Sequence, residues 1–545
     1  MNNSFAVMGR ADISVGVFCA CTREDEYLDP RHYDKSGLHN SIRKTGAEAF
    51  IYSRHLLRTT GGRTHWIGVI FLIPLPATYM ASGTFFALLL LSFLLPEPSS
   101  SSSSSSAAAA IISRFQEYLR INTSQPAPNY ADAAAFLLSQ AESIGLESQT
   151  LELSPGKPLV LLRWPGTSPH LPTILLNSHT DVVPSEPHKW RHHPFSAALD
   201  AMGNIYARGS QDMKCVGMQY LEAIRRLKAA GFTPRRTVYL SFVPDEEVGG
   251  HDGVELFAES EVYRSMHVGI VLDEGLASET DEYRVFYGER CPWWMAIKAV
   301  GPPGHGSKLY DGSAMENLLK SLESISRFRE SQFQLIKAGL RAEGEVVSVN
   351  PVFLKAGTPT PTGFVMNLQP SEAEAGFDIR VPPTADPEDL ERRIAEEWAP
   401  SSRNMTFEVR ILHSFVSVFG FDGNTLRQFK QKVPVYDKFG NPVITKTDRS
   451  NPWWMLLDRA VKKADGKLRK PEIFPAATDA RYFRQKGVPA IGFSPMANTP
   501  ILLHDHNEFL NRGVYLKGIK VYEAIIEAYA SYEEPIGDDE SLAEL

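Results

Sequence analysis

From Ile111 onward, apolar residues recur by turns with helical spacing and in short unbroken runs, the rhythm of a globular α/β chain. An amphipathic stretch carries Phe115, Leu119 and Ile121, and the spacing over Tyr130 to Ile144 predicts a helix ended by Gly145. Leu159–Leu162 and Thr173–Asn177 read as strands, Val216–Gly231 as a helix, and Thr237–Val243 and Gly269–Leu272 as further strands. Strand, helix and strand at that spacing predict a mostly parallel sheet flanked by helices on both faces, with ligands gathering at the carboxyl ends of its strands.

Between about Trp294 and Phe407 the rhythm resets. Met295–Val300, a helix Ala314–Arg327, Val346–Leu354, Val365–Gln369, Ala373–Val381 and a helix Pro387–Trp398 read as β-α-β-β-β-α, an inserted α+β domain of ferredoxin-like type. The first pattern resumes near Asn451, with a helix from Pro452 to Ala464, a strand around Ile473, a helix from Thr478 to Lys486, a strand Ala490–Phe493 and a last helix from Gly513 to Tyr532. The expected division is therefore a catalytic domain in two parts, 111–293 and 451–535, an inserted domain 294–408, a return segment 409–450 and an acidic tail 536–545.

The first 110 residues follow neither rhythm. Residues 1–65 mix charged, glycine and polar positions without sustained periodicity, which predicts disorder or a start upstream of the true one. From Trp66 to Leu95 the chain turns apolar, broken by Pro74 and Pro76, so 66–98 is expected to act as a signal or membrane anchor. Its unbroken part, Phe85–Leu95 after Met80, has the length of a signal-peptide core, and small residues follow at Ala107–Ala110. The serine tract Ser99–Ser106 and those alanines form an expected flexible linker, 99–110. With a working signal or anchor the chain enters the secretory pathway or endomembranes, held to a membrane only through 66–95; without one it stays in the cytoplasm.

At 545 residues and 43% hydrophobic content, the chain is long enough to build a core in each of two domains. A net charge of −8 argues against nucleic acid or an anionic membrane surface as partner and leaves a small molecule. Four cysteines over this length make no disulfide framework, so Cys215 and Cys291 are expected as buried thiols.

Five segment ends carry the candidate chemistry. The apolar run through Leu175 and Leu176 closes on Asn177-Ser178-His179-Thr180-Asp181, giving an imidazole suited to zinc and a carboxylate placed to accept the ring's other N–H. Alone, such a histidine is more often one satisfied in a core or at a surface. Asp212 stands just before a helix, where an N-cap is the ordinary use of an aspartate and a bridge between two cations the other. Asp245-Glu246-Glu247 follows a buried strand and abuts Gly249 and Gly250; such a run is usually a solvated loop, yet adjacent carboxylates can divide metal binding from proton transfer. Asp273-Glu274-Gly275 repeats the theme, and His504-Asp505-His506 brings histidine back after nearly the whole fold. Capping explains any one of these and not all five. Together they predict a metal-dependent hydrolase.

The strings SHTDVVP (178–184), ARGSQDMKCVG (207–217), FVPDEEVGGHDG (242–253), LDEG (272–275), PWW (292–294), GPPGHGS (301–307), SNPWW (450–454), PAATDARYFR (475–484) and LLHDH (502–506) resemble, in order, the M20 family of dinuclear zinc peptidases and amidohydrolases. The resemblance runs from about Ile111 to Tyr532. It implies two Zn2+ per subunit, one held by His179, Asp212 and Glu274 and the other by Glu247 and His504, with Asp212 bridging. It further implies Asp181 as the partner behind His179 and Glu246 as general acid/base. The inserted domain would be the family's dimerisation domain, making a homodimer in which His305 reaches the other subunit's site and steadies an oxyanion. Asn367 and Arg380 would contact substrate, the planar Arg380 fork holding a carboxylate. The plainer reading of Arg380 is an ion pair with Asp378, and that of His305 a turn histidine in a glycine-rich loop.

Water activated between the zincs would attack an amide carbonyl, with Glu246 taking the proton and returning it to the amine. PWW, SNPWW and PAATDARYFR favour the family's acylases, which split N-acyl-L-amino acids into a carboxylic acid and a free L-amino acid. Dipeptidases, carboxypeptidases and biosynthetic deacylases share the same ligands. A non-catalytic interaction protein on this fold would be free to lose Glu246 or a ligand, and a phosphoesterase reading lacks a phosphate-cradling glycine loop. Residues 409–428 depart from the family pattern as an insertion between Glu408 and Phe429.

Overall fold

The computed structural model describes residues 106–409, Tyr436 and 440–533 with their side chains, and the backbone of Val15–Phe18, Glu48–Arg58, Thr64–Pro74, 100–105 and Arg410. The chain divides into Met1–Ser103 and Ser104–Leu545. In the first unit, Thr64–Pro74 pairs antiparallel with both Val15–Phe18 and Glu48–Arg58, placing Ile70 opposite Gly16 and Tyr52. Within 1–65, the stretch expected to be disordered or upstream of the true start, the described backbone is the strands Val15–Phe18 and Glu48–Arg58 and the first two residues of Thr64–Pro74. Of the segment 66–98, expected as a signal or anchor, the backbone of 66–74 is part of the strand Thr64–Pro74 and 75–98 lies outside the described residues, as does 411–428 of the expected insertion. Among the described residues no helix is long and apolar enough to cross a membrane.

The flexible linker expected over 99–110 is instead the start of helix α1 (Ser100–Arg120). Four alanines lead into its amphipathic part, and alanine is the strongest helix former. Besides the short helices Leu256–Glu259 and Glu261–Met266, there follow α2 (Tyr130–Ile144), α3 (Lys214–Ala229), α4 (Ala314–Lys337), α5 (Pro387–Arg393), α6 (Pro452–Lys463), α7 (Ala480–Gln485) and α8 (Arg512–Ser531). The local grammar of α2 is complete: the Asn129 side chain accepts from Asp132 N at its start, and Gly145 ends it at φ 74°.

The second unit's main strands begin with β1 (Glu147–Ser154), β2 (Lys157–Trp164), β3 (Thr173–His179), β4 (Val238–Val243), β5 (Val268–Asp273) and β6 (Val285–Glu289). Four strands of an inserted layer follow, β7 (Cys291–Val300), β8 (Ser348–Ala356), β9 (Glu372–Val381) and β10 (Met405–Arg410), and then β11 (Glu472–Phe474) and β12 (Ala490–Phe493). The large sheet has the order β11-β6-β12-β5-β3-β4-β2-β1. Its centre, β12-β5-β3-β4, is parallel, whereas β6 against β12, β2 against β4, and β1 against β2 are antiparallel. Ile174, Leu176, Ile270 and Leu272 pack into one core with α1, α2, α3, α6 and α8; Leu175 and Val271 pack into a second with Phe257, Tyr263 and α7. Burial on both faces is why these strands read as unbroken apolar runs.

The inserted layer is an antiparallel sheet of order β8-β9-β7-β10, and its core joins Trp293, Ile297 and Phe377 to Leu318 and Ile325 of α4 and Leu390 of α5. Its succession is β-α-β-β-α-β, the ferredoxin-like arrangement. The expected strand Val365–Gln369 is not part of this sheet: Leu368–Gln369 pairs with Gly304–His305, and Gly363–Phe364 with Pro359–Thr360. The fourth strand is β10. Cys215 and Cys291 are buried free thiols.

Candidate metal centre

Parallel register brings the acidic and imidazole side chains to one edge. β3 ends on His179, which lies opposite Val243 at the end of β4, so the Glu246-Glu247 loop leaves the sheet beside the imidazole. β5 pairs with β3 on the other side and delivers Glu274 directly after Asp273. α3 approaches closely because Gly217 lacks a side chain; a Cβ there would meet Ser178 Oγ and Phe242 at 2.7 Å. That approach sets Asp212 over the sheet edge. The N-cap of α3 is Met213, which leaves the Asp212 carboxylate free of the capping role.

Asp212 faces two histidines with its two oxygens. Oδ1 lies 3.1 Å from His179 Nε2 and Oδ2 lies 3.1 Å from His504 Nε2. Glu274 Oε2 is 3.9 Å from His179 Nε2, and Glu247 Oε2 is 3.2 Å from His504 Nε2. The ligand atoms of His179, Asp212 and Glu274 lie within 4.8 Å of one another, and so do those of Asp212, Glu247 and His504. Two tetrahedral ligand atoms bound at about 2.05 Å are separated by about 3.3 Å, which is the scale of these contacts. Imidazole nitrogen and carboxylate oxygen are the donors zinc takes, and the Asp212 carboxylate is shared between both groups.

The electrostatics agree with a cation site. Burial drives the Glu247 carboxyl up to about 7, helped by the Asp212 charge, and burial with Asp212 raises Glu274 well above its usual range. Removal from water and the Glu274 charge raise Glu246 likewise. Burial opposes a charge on His504, but hydrogen bonding to Asp212 and Glu247 overcomes it and lifts the imidazole to about 10. The protein has gathered more negative charge at one edge than its own histidines neutralise, a cost that bound divalent cations remove.

The centre opens into a cavity of about 220 Å³, walled by Glu246, Val248, Trp294, Arg380, Phe474 and Leu503 among others. Arg380 combines both sequence expectations. It lines this cavity, and its Nε and Nη2 donate to Asp378 Oδ1 and Oδ2 at 2.7 and 3.0 Å. His305 and Asn367 sit side by side on the inserted layer, where Gly306 N donates to Asn367 O at 2.7 Å, and both are exposed. Neither lines the cavity of its own chain.

Residues 175–528 match the sequence pattern of peptidase family M20/M25/M40. The chain belongs to that family. Over 421 residues it is 45% identical to aminoacylase-1 of Mus musculus, a span of 77% of this chain and 95% of the mouse protein. Aminoacylase-1 of Dictyostelium discoideum is 42% identical over 429 residues, 77% of this chain and 98% of that protein. Among solved structures, an M20 family metallo-carboxypeptidase from Sulfolobus solfataricus resembles it with a TM-score of 0.53 at 18% identity, over 77% of this chain and 99% of that one. The latter likeness speaks for the fold alone.

Around these candidate ligands, this M20 chain places supports that the linear pattern did not reveal. The expected Asp181 contact is different in kind: His179 Nδ1 lies 2.9 Å from the Asp181 main-chain carbonyl and 3.9 Å from its carboxylate. The carbonyl therefore fixes the tautomer, while the carboxylate accepts from the main-chain N of Glu246 and Glu247 at 3.1 and 3.2 Å. Gln125 Nε2 donates to the same carboxylate at 2.8 Å. Glu508, fully buried, accepts from Arg208 Nη1 at 2.8 Å and Gln211 N at 2.7 Å, holding the loop that presents Asp212. Gln211 in turn accepts from Leu502 N at 3.1 Å, which ties that loop to the one bearing His504. A buried glutamate three hundred residues from its Arg208 partner leaves no mark in local spacing.

Proposed function

We propose that this chain hydrolyses N-acyl-L-amino acids to a carboxylic acid and a free L-amino acid, using two zinc ions per subunit. The reading is carried by Asp212, whose two oxygens address two separate histidine-carboxylate groups. It is supported by the likeness to aminoacylase-1 over almost the whole of those proteins. His179, Asp212 and Glu274 would hold one ion, and Asp212, Glu247 and His504 the other. Zinc bound there supplies Lewis acidity toward the amide carbonyl and makes water more acidic.

The protein's own groups divide the remaining work. Glu246 borders the cavity without belonging to either ligand group, and its raised proton affinity suits it to take a proton from water and pass it to the departing amine. Arg380, its plane fixed by Asp378, would hold the amino acid's carboxylate, and Trp294, Phe474 and Leu503 offer apolar surface to the rest of the substrate. Asp181 ties the His179 imidazole, through its own carbonyl, to the Glu246 backbone, through its carboxylate.

His305 and Asn367 would serve the active site of a second copy in a homodimer. The outer strand β8 favours this arrangement: it stands at the edge of its sheet and exposes Val352 and Leu354 at 64% and 63%. Glu246→Gln tests the central role. The variant should keep its zinc and lose N-acetyl amino acid hydrolysis, and undiminished turnover would remove Glu246 as the proton carrier.

A further inference from the structure

The carboxylate of Glu246 makes no hydrogen bond with another described residue, so its aim is set by the backbone of its own loop. That loop leaves β4 at Val243 and turns back through Gly249 and Gly250, at φ 109° and 69°. On one flank Asp181 accepts the Glu246 and Glu247 N–H groups. On the other, a single atom is held twice: Gly249 O accepts from Arg481 Nη2 at 2.7 Å and from Tyr482 Oη at 2.7 Å.

Both donors come from the first turn of α7, over two hundred residues further along the chain. The guanidinium is itself pinned. Its Nη1 donates to Thr478 O at 2.9 Å, its Nη2 reaches Tyr482 Oη at 3.2 Å, and its carbon lies 4.5 Å from the centre of the Tyr482 ring. Arg481 is only 6% exposed and lines the cavity, yet among the described residues no carboxylate forms an ion pair with it. A buried guanidinium carries a large desolvation cost, and here its donors go to main-chain carbonyls of the loop and of its own turn. The other side of the turn is also packed shut: a Cβ on Gly250 would come within 2.6 Å of Asp479 Oδ1, the residue just before α7.

We propose that Arg481 and Tyr482 are positioning residues of the hydrolytic reaction, clamping the Gly249 carbonyl so that the Glu246 carboxylate meets the scissile amide at a fixed place. The inference rests on the reading of Glu246 as the proton carrier. Arg481 acts through Glu246 and not by contact with the substrate. Removing the clamp lets the loop drift, and a displacement of about 1 Å at a reacting group costs about 100-fold in rate.

The test uses the full-length, zinc-loaded enzyme with N-acetyl-L-methionine as substrate, and compares Arg481→Ala, Tyr482→Phe, Glu246→Gln and the double variant Glu246→Gln/Arg481→Ala. Arg481→Ala should lower kcat about 100-fold with KM changed by less than about threefold, and added guanidinium should restore part of the loss. Tyr482→Phe, which is nearly isosteric and keeps the core filled, should lower kcat about five-fold, the worth of one hydrogen bond. In the double variant the Arg481 change should add nothing to the Glu246 change. Unchanged kcat in both Arg481→Ala and Tyr482→Phe overturns the clamp, as does a KM raised more than about tenfold at constant kcat, which would mark Arg481 as a substrate contact. Should Arg481→Ala fail to fold, the Tyr482→Phe result decides. An active Glu246→Gln enzyme would sink the proton-carrier reading itself, whereas an inert Glu246→Gln beside unchanged kcat in both Arg481→Ala and Tyr482→Phe sinks the clamp alone.

Discussion

Replacing Arg484 by methionine should destabilise the fold more than any surface change, and the structure fixes the size of the effect. Arg484 Nη1 lies 2.7 Å from Glu289 Oε1, with the two side chains 3% and 1% exposed. The same guanidinium donates from Nε and Nη2 to Ala490 O at 3.0 and 2.9 Å, and Glu289 also accepts from Thr478 N. Burial raises the Glu289 carboxyl and lowers the Arg484 guanidinium, so for each partner desolvation outweighs the attraction. Arg484→Met then leaves a buried carboxylate without its cation, which costs about 3–5 kcal/mol. Glu289→Gln/Arg484→Met removes both charges and should recover most of that loss. The pH dependence has a definite sign. With its folded-state affinity for the proton above the unfolded one, Glu289 binds more protons in the folded chain, so stability falls as pH rises from the ordinary glutamate value through the raised one. The Arg484→Met deficit should therefore shrink on going from about pH 8 to about pH 5. Urea unfolding at fixed zinc, followed by tryptophan fluorescence, reads all three quantities. A deficit under about 1 kcal/mol, or a double variant less stable than Arg484→Met, would refute the reasoning.

Gly250→Ala should cost about 1–2 kcal/mol in the same unfolding assay, because φ is 69° there and the new Cβ would press on Asp479. A neutral effect would mean that the turn relaxes without strain. At the inserted layer, Leu354→Lys on the open edge of β8 should shift the chain from dimer to monomer in sedimentation and lower turnover with it. Mixing His305→Ala subunits with Glu246→Gln subunits should recover part of the activity that neither has alone, and mixed dimers without recovery would confine each site to one chain.

What the linear pattern disclosed follows from where chemistry leaves a trace. His179 and Glu274 were visible because β3 and β5, buried on both faces, end abruptly in polar residues. α2 was readable to the residue because Asn129 and Gly145 terminate it chemically. The strand β1 was not, since most of Glu147–Ser154 is exposed and its extended form is decided by pairing with β2. β6 escaped for another reason: five residues between β5 and the insertion carry too little period to separate from a loop. The candidate ligands could be named from the sequence, but Gln125, Glu508, Arg481 and Tyr482 could not: Gln125 meets the Asp181 carboxylate and the other three meet backbone atoms, all brought near only by the folded sheet. The Asp181 contact shows the same limit within two residues of His179, where the main-chain carbonyl takes the role expected of the carboxylate.

Zinc content, counted per chain in the purified protein and in three single variants, tests the shared carboxylate most directly. Two ions should be found in the parent, about one each in His179→Ala and His504→Ala, and none held tightly in Asp212→Ala, since Asp212 alone belongs to both groups. An Asp212→Ala protein that still binds two ions as firmly as the parent would contradict a dinuclear centre built on that residue.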